Sequence, residues 1–402
     1  MLSLFATRRM TILYFCQLFA PALYGGGEFE FYSWSKELVR RGHRVIVITQ
    51  RLDHARTHGI VDGIEVYRTG PVIAYGGALT LSLRENIGYI LCATAFGMFL
   101  LSRNRVTVVH SNTYSPAIAA GICAKFFRKP HYITVHDVYA LGRRTFWTTW
   151  STQLGVSWVA RQIGPLLERL VLKLHPTAFH TVSNTSMLEM KAFGAQRPIV
   201  VIPNGINMRE YPEAASYFLP HQFIFIGRLV FYKNLDVVIR ALPSLLREVP
   251  DATLVVVGDG PMREQWCALA RRIGVERSVK FVGRIPHEEK VRLLSESAAL
   301  LLPSLVEGFG IVILESFACC RPAVVANVMP LSDLVSNGND GFTLPPFEDE
   351  TWAHCLAELA KNPEEATTMG RRGRTKLQTS YTIESVVNML QDMYDSRLRV
   401  PS

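Results

Sequence analysis

The 402-residue sequence contains no Asp-x-Asp, the pair with which many enzymes hold Mg²⁺ or Mn²⁺, and no His/Cys grouping with metal-ligand spacing. No essential metal or other cofactor is therefore expected. Seven cysteines, Cys16, Cys92, Cys123, Cys267, Cys319, Cys320 and Cys355, form no C-x-x-C, which excludes the usual zinc and dithiol signatures. Most fall in apolar stretches, so free buried thiols in a reducing compartment are expected, not disulfides. Charged residues are few, at 19% against 49% apolar, which excludes a disordered chain. No recognised nucleic-acid motif accompanies the net charge of +9, so nucleic acid is not the expected partner.

What charge there is lies unevenly. Residues 1–215 carry 23 Lys and Arg against 12 Asp and Glu, and the remainder carries 20 against 22. A basic half points to an anionic partner, best read as a membrane surface or a phosphate-bearing lipid, and so to a cytoplasmic protein held peripherally on a membrane. Two stretches mimic membrane signals. Arg8-Arg9 with the apolar residues after it resembles a leader, but the glycines and amphipathic segment that follow suit a first strand and helix better. Residues 87–101 lack charge but are short for a span; a core helix and a membrane-seated helix both fit them.

Apolar strand-like runs alternate with helical patterns throughout. Strands are expected at 11–19, 44–49, 64–69, 106–111, 131–136, 178–183 and 199–203, then at 222–226, 253–257, 279–282, 298–302 and 323–326. Continuous apolar strands separated by helices mean parallel sheets covered on both faces, so the fold class is α/β, doubly wound, twice over. The rhythm breaks near 210–220, which predicts domains at 1–215 and 216–380 and a final helix in 381–402. One region departs from it. In 143–175, Arg143, Arg144, Trp147, Trp150, Trp158 and Arg161 interleave cations with indoles, as an interfacial amphipathic helix requires. An ordinary core-covering helix fits equally.

The richest segment is Val306-Glu307-Gly308-Phe309-Gly310-Ile311-Val312-Ile313-Leu314-Glu315. A strand-like run leads into it, so its glycines fall on a strand-to-helix turn where free N–H groups gather. Glu315 is expected two turns into the helix, on the face of Glu307. Two carboxylates beside such a turn can grip a polyhydroxylated molecule at two points. Gly227-Arg228-Leu229 with Lys233-Asn234 follows the strand at 222–226, placing two cations where anionic ligands bind in such sheets. Gly25-Gly26-Gly27 follows the first strand, without the full G-x-G-x-x-G spacing.

The 306–315 segment resembles the E-x7-E signature of family-4 retaining nucleotide-sugar glycosyltransferases. Gly227-Arg228-Leu229 with Lys233-Asn234, Val257-Gly258-Asp259-Gly260-Pro261, Ile202-Pro203-Asn204-Gly205-Ile206, Thr134-Val135-His136-Asp137 and the glycine triplet extend the resemblance over most of the chain. It implies the GT-B fold, two Rossmann-like domains facing across a cleft, with the last helix returning to the first domain. It also implies roles. Arg228 and Lys233 would stabilise the diphosphate leaving group, and His136 would hold hydroxyls of the transferred sugar. Glu307, with the backbone of Gly308, Phe309 and Gly310, would hold that sugar, and Glu315 the ribose. Gly26, Gly27 and Gly227 would let the donor approach the backbone. The expected activity is metal-independent, retaining transfer of a hexose from a UDP- or GDP-sugar to a membrane-lipid or lipid-linked glycan. A non-hydrolysing sugar-nucleotide epimerase of the same fold and a catalytically silent partner subunit are the alternatives.

Overall fold

The computed structural model describes residues 9–21, 26–73, 82–138, 144–212 without 154 and 157, and 218–398, and leaves aside the side chains of 144–146, 150, 160, 397 and 398. Gly25 and Arg143, and the side chains of Arg144 and Trp150, therefore lie outside the described residues. The chain forms two compact units: Met1–Pro203 with Ile383–Ser402, and Asn204–Thr382. The division precedes the expected 215 because Ile206 already belongs to the second unit. Its N–H donates to the Tyr381 carbonyl at 3.1 Å, and it bridges to Thr382.

The first unit holds strands β1 (Thr11–Phe15), β2 (Arg44–Leu52), β3 (His58–Val61), β4 (Ile64–Ile73), β5 (Val108–Asn112), β6 (His131–Thr134), β7 (Ala178–Thr181) and β8 (Ile199–Val201). They form one sheet in the order β3-β4-β2-β1-β5-β6-β7-β8, parallel except for β3 against β4. The β3–β4 hairpin was not foreseen, yet its turn is Asp62-Gly63, both with positive φ (48° and 78°), the geometry a two-residue hairpin needs. Alternate residues of β1 divide the core. Leu13 and Phe15 face the helices Leu83–Arg103 and Ser115–Phe126, while Ile12 and Tyr14 face Gly26–Arg40 and Ile383–Leu398. The last helix docks through Val386, Val387, Leu390 and Tyr394, whose hydroxyl lies 2.6 Å from His110 Nδ1.

The second unit holds β9 (Leu219–Ile226), β10 (Thr253–Val257), β11 (Val279–Gly283), β12 (Ser297–Leu302), β13 (Ala323–Ala326) and β14 (Gly341–Leu344), all parallel, in the order β11-β10-β9-β12-β13-β14. In each sheet the strand order reverses beside one strand, β1 next to β5 and β9 next to β12. Crevices at the carboxyl ends of such strands are where open α/β sheets take ligands. All seven cysteines are free, and five of them are buried.

Residues 144–172 form two helices, Arg144–Gln153 and Trp158–Leu172. Trp147 turns towards the neighbouring helix, as the core-covering reading of this segment has it. Its Nε1 donates to the Arg161 carbonyl at 2.8 Å, and its ring occupies the space a Cβ on Gly164 would need.

Candidate active site

In the second unit β9 is followed by Gly227-Arg228-Leu229, and the Val-Gly-Asp-Gly turn at the end of β10 holds that segment in place. Gly227 N–H donates to the Val257 carbonyl and Leu229 N–H to the Asp259 carbonyl, both at 3.0 Å. Gly258 (φ +126°) lies so close that a Cβ would stand 1.9 Å from the Gly227 oxygen. The two motifs therefore touch backbone to backbone, and only glycine allows it.

Next comes a short 3₁₀ turn, Phe231–Lys233, and Asn234 in the left-handed region (φ 53°) opens the helix Leu235–Glu248. Lys233 is buried at 9% exposure and donates from Nζ to Glu307 Oε1 at 2.5 Å. The loop carrying Glu307 is fixed to the same turn, since Leu305 N–H donates to the Tyr232 carbonyl at 2.7 Å. Arg228, five residues earlier, is half-buried and makes no ion pair among the described residues. The segment thus carries an arginine and, five residues on, a lysine that is neutralised by its own carboxylate.

The two glutamates do not share a helical face. The helix is Ile311–Ala318, opened by Gly310 in the left-handed region (φ 95°), so Glu307 precedes it and Glu315 lies one turn inside. Glu315 faces different partners. Its Oε1 accepts from Lys290 Nζ at 2.6 Å and from the Tyr211 hydroxyl at 3.2 Å, while the buried Oε2 has no partner. Burial and this carboxylate push the Tyr211 hydroxyl pKa well up, keeping it a donor. Phe309 is buried and packs towards Tyr381; Gly308 is partly exposed beside it. No motif marks Lys290, which sits on the helix His287–Ser295, or Tyr211. A lone lysine and a tyrosine before a proline look like ordinary surface residues in sequence.

In the first unit Gly26 and Gly27 open the helix Gly26–Arg40 instead of preceding it. Gly27 lies against His136, with a Cβ there only 2.7 Å from Nε2, an atom that is buried and without a partner. Burial, with His180 nearby, lowers the His136 pKa to about 3, so the ring is neutral. Its carbonyl accepts from Ser186 Oγ at 2.9 Å. The fold thus brings together Gly27 with His136, Lys233 with Glu307, and Gly227 with Gly258, but keeps the partners of Glu307 and Glu315 separate.

Residues 24–210 match the family described as Glycosyltransferase Family 4, and residues 218–376 match Glycosyl transferases group 1. The chain is 27% identical over 406 residues to glycogen synthase of Mycobacterium tuberculosis, covering 96% of this chain and 94% of that one. It is 31% identical over 200 residues to the GDP-mannose-dependent alpha-(1-6)-phosphatidylinositol monomannoside mannosyltransferase of Mycolicibacterium smegmatis, covering 46% and 52%. Anabaena HepE, solved with UDP-glucose, superposes with a TM-score of 0.73 at 18% identity over 96% of this chain and 100% of that one. With each half matched in turn and two Rossmann-like sheets of one plan, the chain belongs to family 4 of the glycosyltransferases and has the GT-B fold.

Proposed function

We propose that this glycosyltransferase moves a hexose, with retention and without an essential metal, from a UDP- or GDP-sugar to a membrane-lipid or lipid-linked glycan acceptor. The reading places the protein in the cytoplasm, held peripherally on an anionic membrane. The buried ion pair Lys233–Glu307, with Arg228 five residues before the lysine, carries the reading. A diphosphate brings two negative charges. With Arg228 it draws Lys233 away from Glu307, which frees the carboxylate to accept hydroxyls of the transferred sugar. As the anomeric C–O bond breaks, the two cations stabilise the departing diphosphate in place of a metal. In a front-face displacement the acceptor oxygen bonds to C1 on the side the diphosphate leaves, and its proton passes to a leaving phosphate oxygen. No second carboxylate nucleophile is required. His136, with Gly26 and Gly27, is assigned hydroxyls of the transferred sugar, and Gly308, Phe309 and Gly310 supply backbone N–H groups.

The names of similar proteins support the substrate classes: one mycobacterial relative is GDP-mannose-dependent and phosphatidylinositol-directed, and the Anabaena structure holds UDP-glucose. The test is turnover of a panel of UDP-, GDP- and ADP-sugars with lipid acceptors in excess EDTA. Transfer with retained anomeric configuration supports the proposal. Isomerisation of the donor without any acceptor would favour an epimerase, and dependence on added Mn²⁺ would remove the metal-free reading.

Glu315 is assigned the ribose hydroxyls, with Lys290 and Tyr211 orienting its carboxylate. Glu315→Ala should then weaken binding of the free nucleoside diphosphate about 10–100-fold, as expected for a lost hydrogen bond to a charged group. Lys290→Met should weaken it less. The double variant should be no worse than Glu315→Ala, because Lys290 acts through that carboxylate. Glu307→Ala should leave this binding near wild type and lower turnover of intact donor. Calorimetry decides: a Glu315→Ala protein that binds the diphosphate normally has lost the ribose assignment.

A further inference from the structure

We infer that one helical face of the first unit, formed by Leu83–Arg103, Ser115–Phe126 and Trp158–Leu172, seats on an anionic bilayer. The inference deepens the membrane reading above and gives it a surface, one that excludes Trp147.

The three helices cover the same side of the sheet. Ala119, Ala120 and Cys123 of the second helix share a core with Tyr89, Ala93 and Leu100 of the first. Its Ala117 shares another with Val171 and Leu172 of the third. Their outer sides are apolar. Ten of the sixteen exposed large hydrophobic side chains among the described residues lie on these helices, and none lies on Gly26–Arg40 or Ile383–Leu398, which cover the opposite side. The most exposed are Leu91 (66%), Phe126 (72%), Trp158 (69%) and Leu166 (65%). Leu83, Ile87, Leu91 and Phe99 recur at four- and eight-residue steps, and Trp158, Leu166 and Leu170 do the same, so each helix carries an apolar band that winds slowly along its exposed side. A soluble surface seldom carries so much apolar area on one face.

Charge selects the occupant. Between Glu85 and Asp137 the sequence has no acidic residue, but it has Arg103, Arg105, Lys125, Arg128 and Lys129. Glu85 is occupied in a capping box with Ser82. On the third helix Glu168 is buried and accepts from the Tyr114 hydroxyl at 2.7 Å, while Arg169 and Lys173 are exposed. The Arg103 guanidinium lies over the exposed Phe99 ring, 4.8 Å from its centre, so a cation sits directly against the apolar surface. Apolar stripes bordered by cations and almost free of exposed acids match anionic headgroups over acyl chains. A second copy of the same face would set cation against cation.

The test uses the full chain and vesicles of phosphatidylcholine, alone or with equal phosphatidylglycerol. Wild type should co-sediment with the anionic vesicles, less so as salt rises. Replacing Leu91, Phe126, Trp158 and Leu166 by Gln should reduce partitioning at least about tenfold, with melting temperature and nucleoside-diphosphate binding unchanged. Trp158→Phe alone should remove a blue shift of tryptophan emission seen on vesicle addition. If the four-fold variant partitions like wild type, another surface binds lipid and this one is excluded. If wild type ignores the vesicles but forms a dimer that the variant cannot, the face is a contact between copies and the inference is overturned. Donor binding is measured in solution, so a protein that binds nucleotide sugar but no vesicle loses its membrane seat and keeps its proposed chemistry.

Discussion

Taking the protein from pH 7 to pH 5 should strongly destabilise its first unit and leave the second nearly unchanged. Four histidines, His110, His131, His136 and His180, lie within that unit, and the first, second and fourth are buried under 8% exposure. Burial lowers the His131 and His136 pKa values to about 3 and that of His180 to about 4. His110 is lowered as well, by burial and by its histidine neighbours. They are chained as neutral rings: His110 Nε2 and His180 Nδ1 meet at Thr134 Oγ1, at 2.8 and 2.9 Å, and His131 Nε2 meets Ser111 Oγ at 3.0 Å. The sign follows from where the protons go. Below the ordinary histidine pKa of about 6.5 the unfolded chain takes up protons that the folded unit refuses, so stability falls with pH until about 3–4 and is insensitive above that window. Each group costs about 1.4 kcal/mol per pH unit, so the three with assigned values cost roughly 6 kcal/mol by pH 5. That is comparable with the whole stability of an ordinary domain, about 5–15 kcal/mol. The second unit's three histidines include none so buried; His221 pairs with Asp251 at the surface. Thermal melts followed by circular dichroism should show one transition falling by roughly 12–24 °C between pH 7 and 5 and another nearly fixed. Two transitions that move together would contradict this.

Lys233→Ala should lower kcat at least about a hundredfold, the effect of removing one donor that stabilises developing charge, about 2.7–4 kcal/mol. Among the described residues the buried Nζ has Glu307 at 2.5 Å as its one acidic partner, and the proposed role adds the donor diphosphate as a second anion. The variant should also leave Glu307 without its cation, and a Lys233→Ala, Glu307→Gln pair separates the two effects. If the second change restores melting temperature while binding of the free nucleoside diphosphate stays weak, Lys233 acts on the donor. Turnover within threefold of wild type in the single variant would remove Lys233 from the site.

Much of this was legible in the sequence, and what was not has a common cause. Apolar runs such as 298–302 and 323–326 became central strands because a strand buried on both faces leaves little choice of residue. Gly227 and Gly258 were visible as motif members, but their contact was not, because nothing local says which turns meet across a sheet. The same holds for Lys233 with Glu307, 74 residues apart, and for Lys290 with Glu315, where the lysine belongs to no motif. Strand order decides these pairings, and periodicity carries no information about order. The Asp62-Gly63 hairpin was a local signal and could have been read. Trp147 could not be placed from its neighbours, which fit an interface and a core-covering helix alike, because its partner, the backbone at Arg161 and Gly164, arrives from the next helix.

The docking of Ile383–Leu398 in the first unit reverses the order in which the ribosome would seem to build the protein. Residues 204–382 emerge as an uninterrupted segment and can close their own sheet while still tethered. The first unit, synthesised earlier, waits. Until Tyr394 and Leu390 leave the exit tunnel, Ile12, Tyr14 and Trp34 lack the side chains that cover them, and His110 lacks its hydroxyl partner. The half of the chain made first is thus the half finished last, and through most of synthesis its exposed apolar layer is the segment most in need of a chaperone.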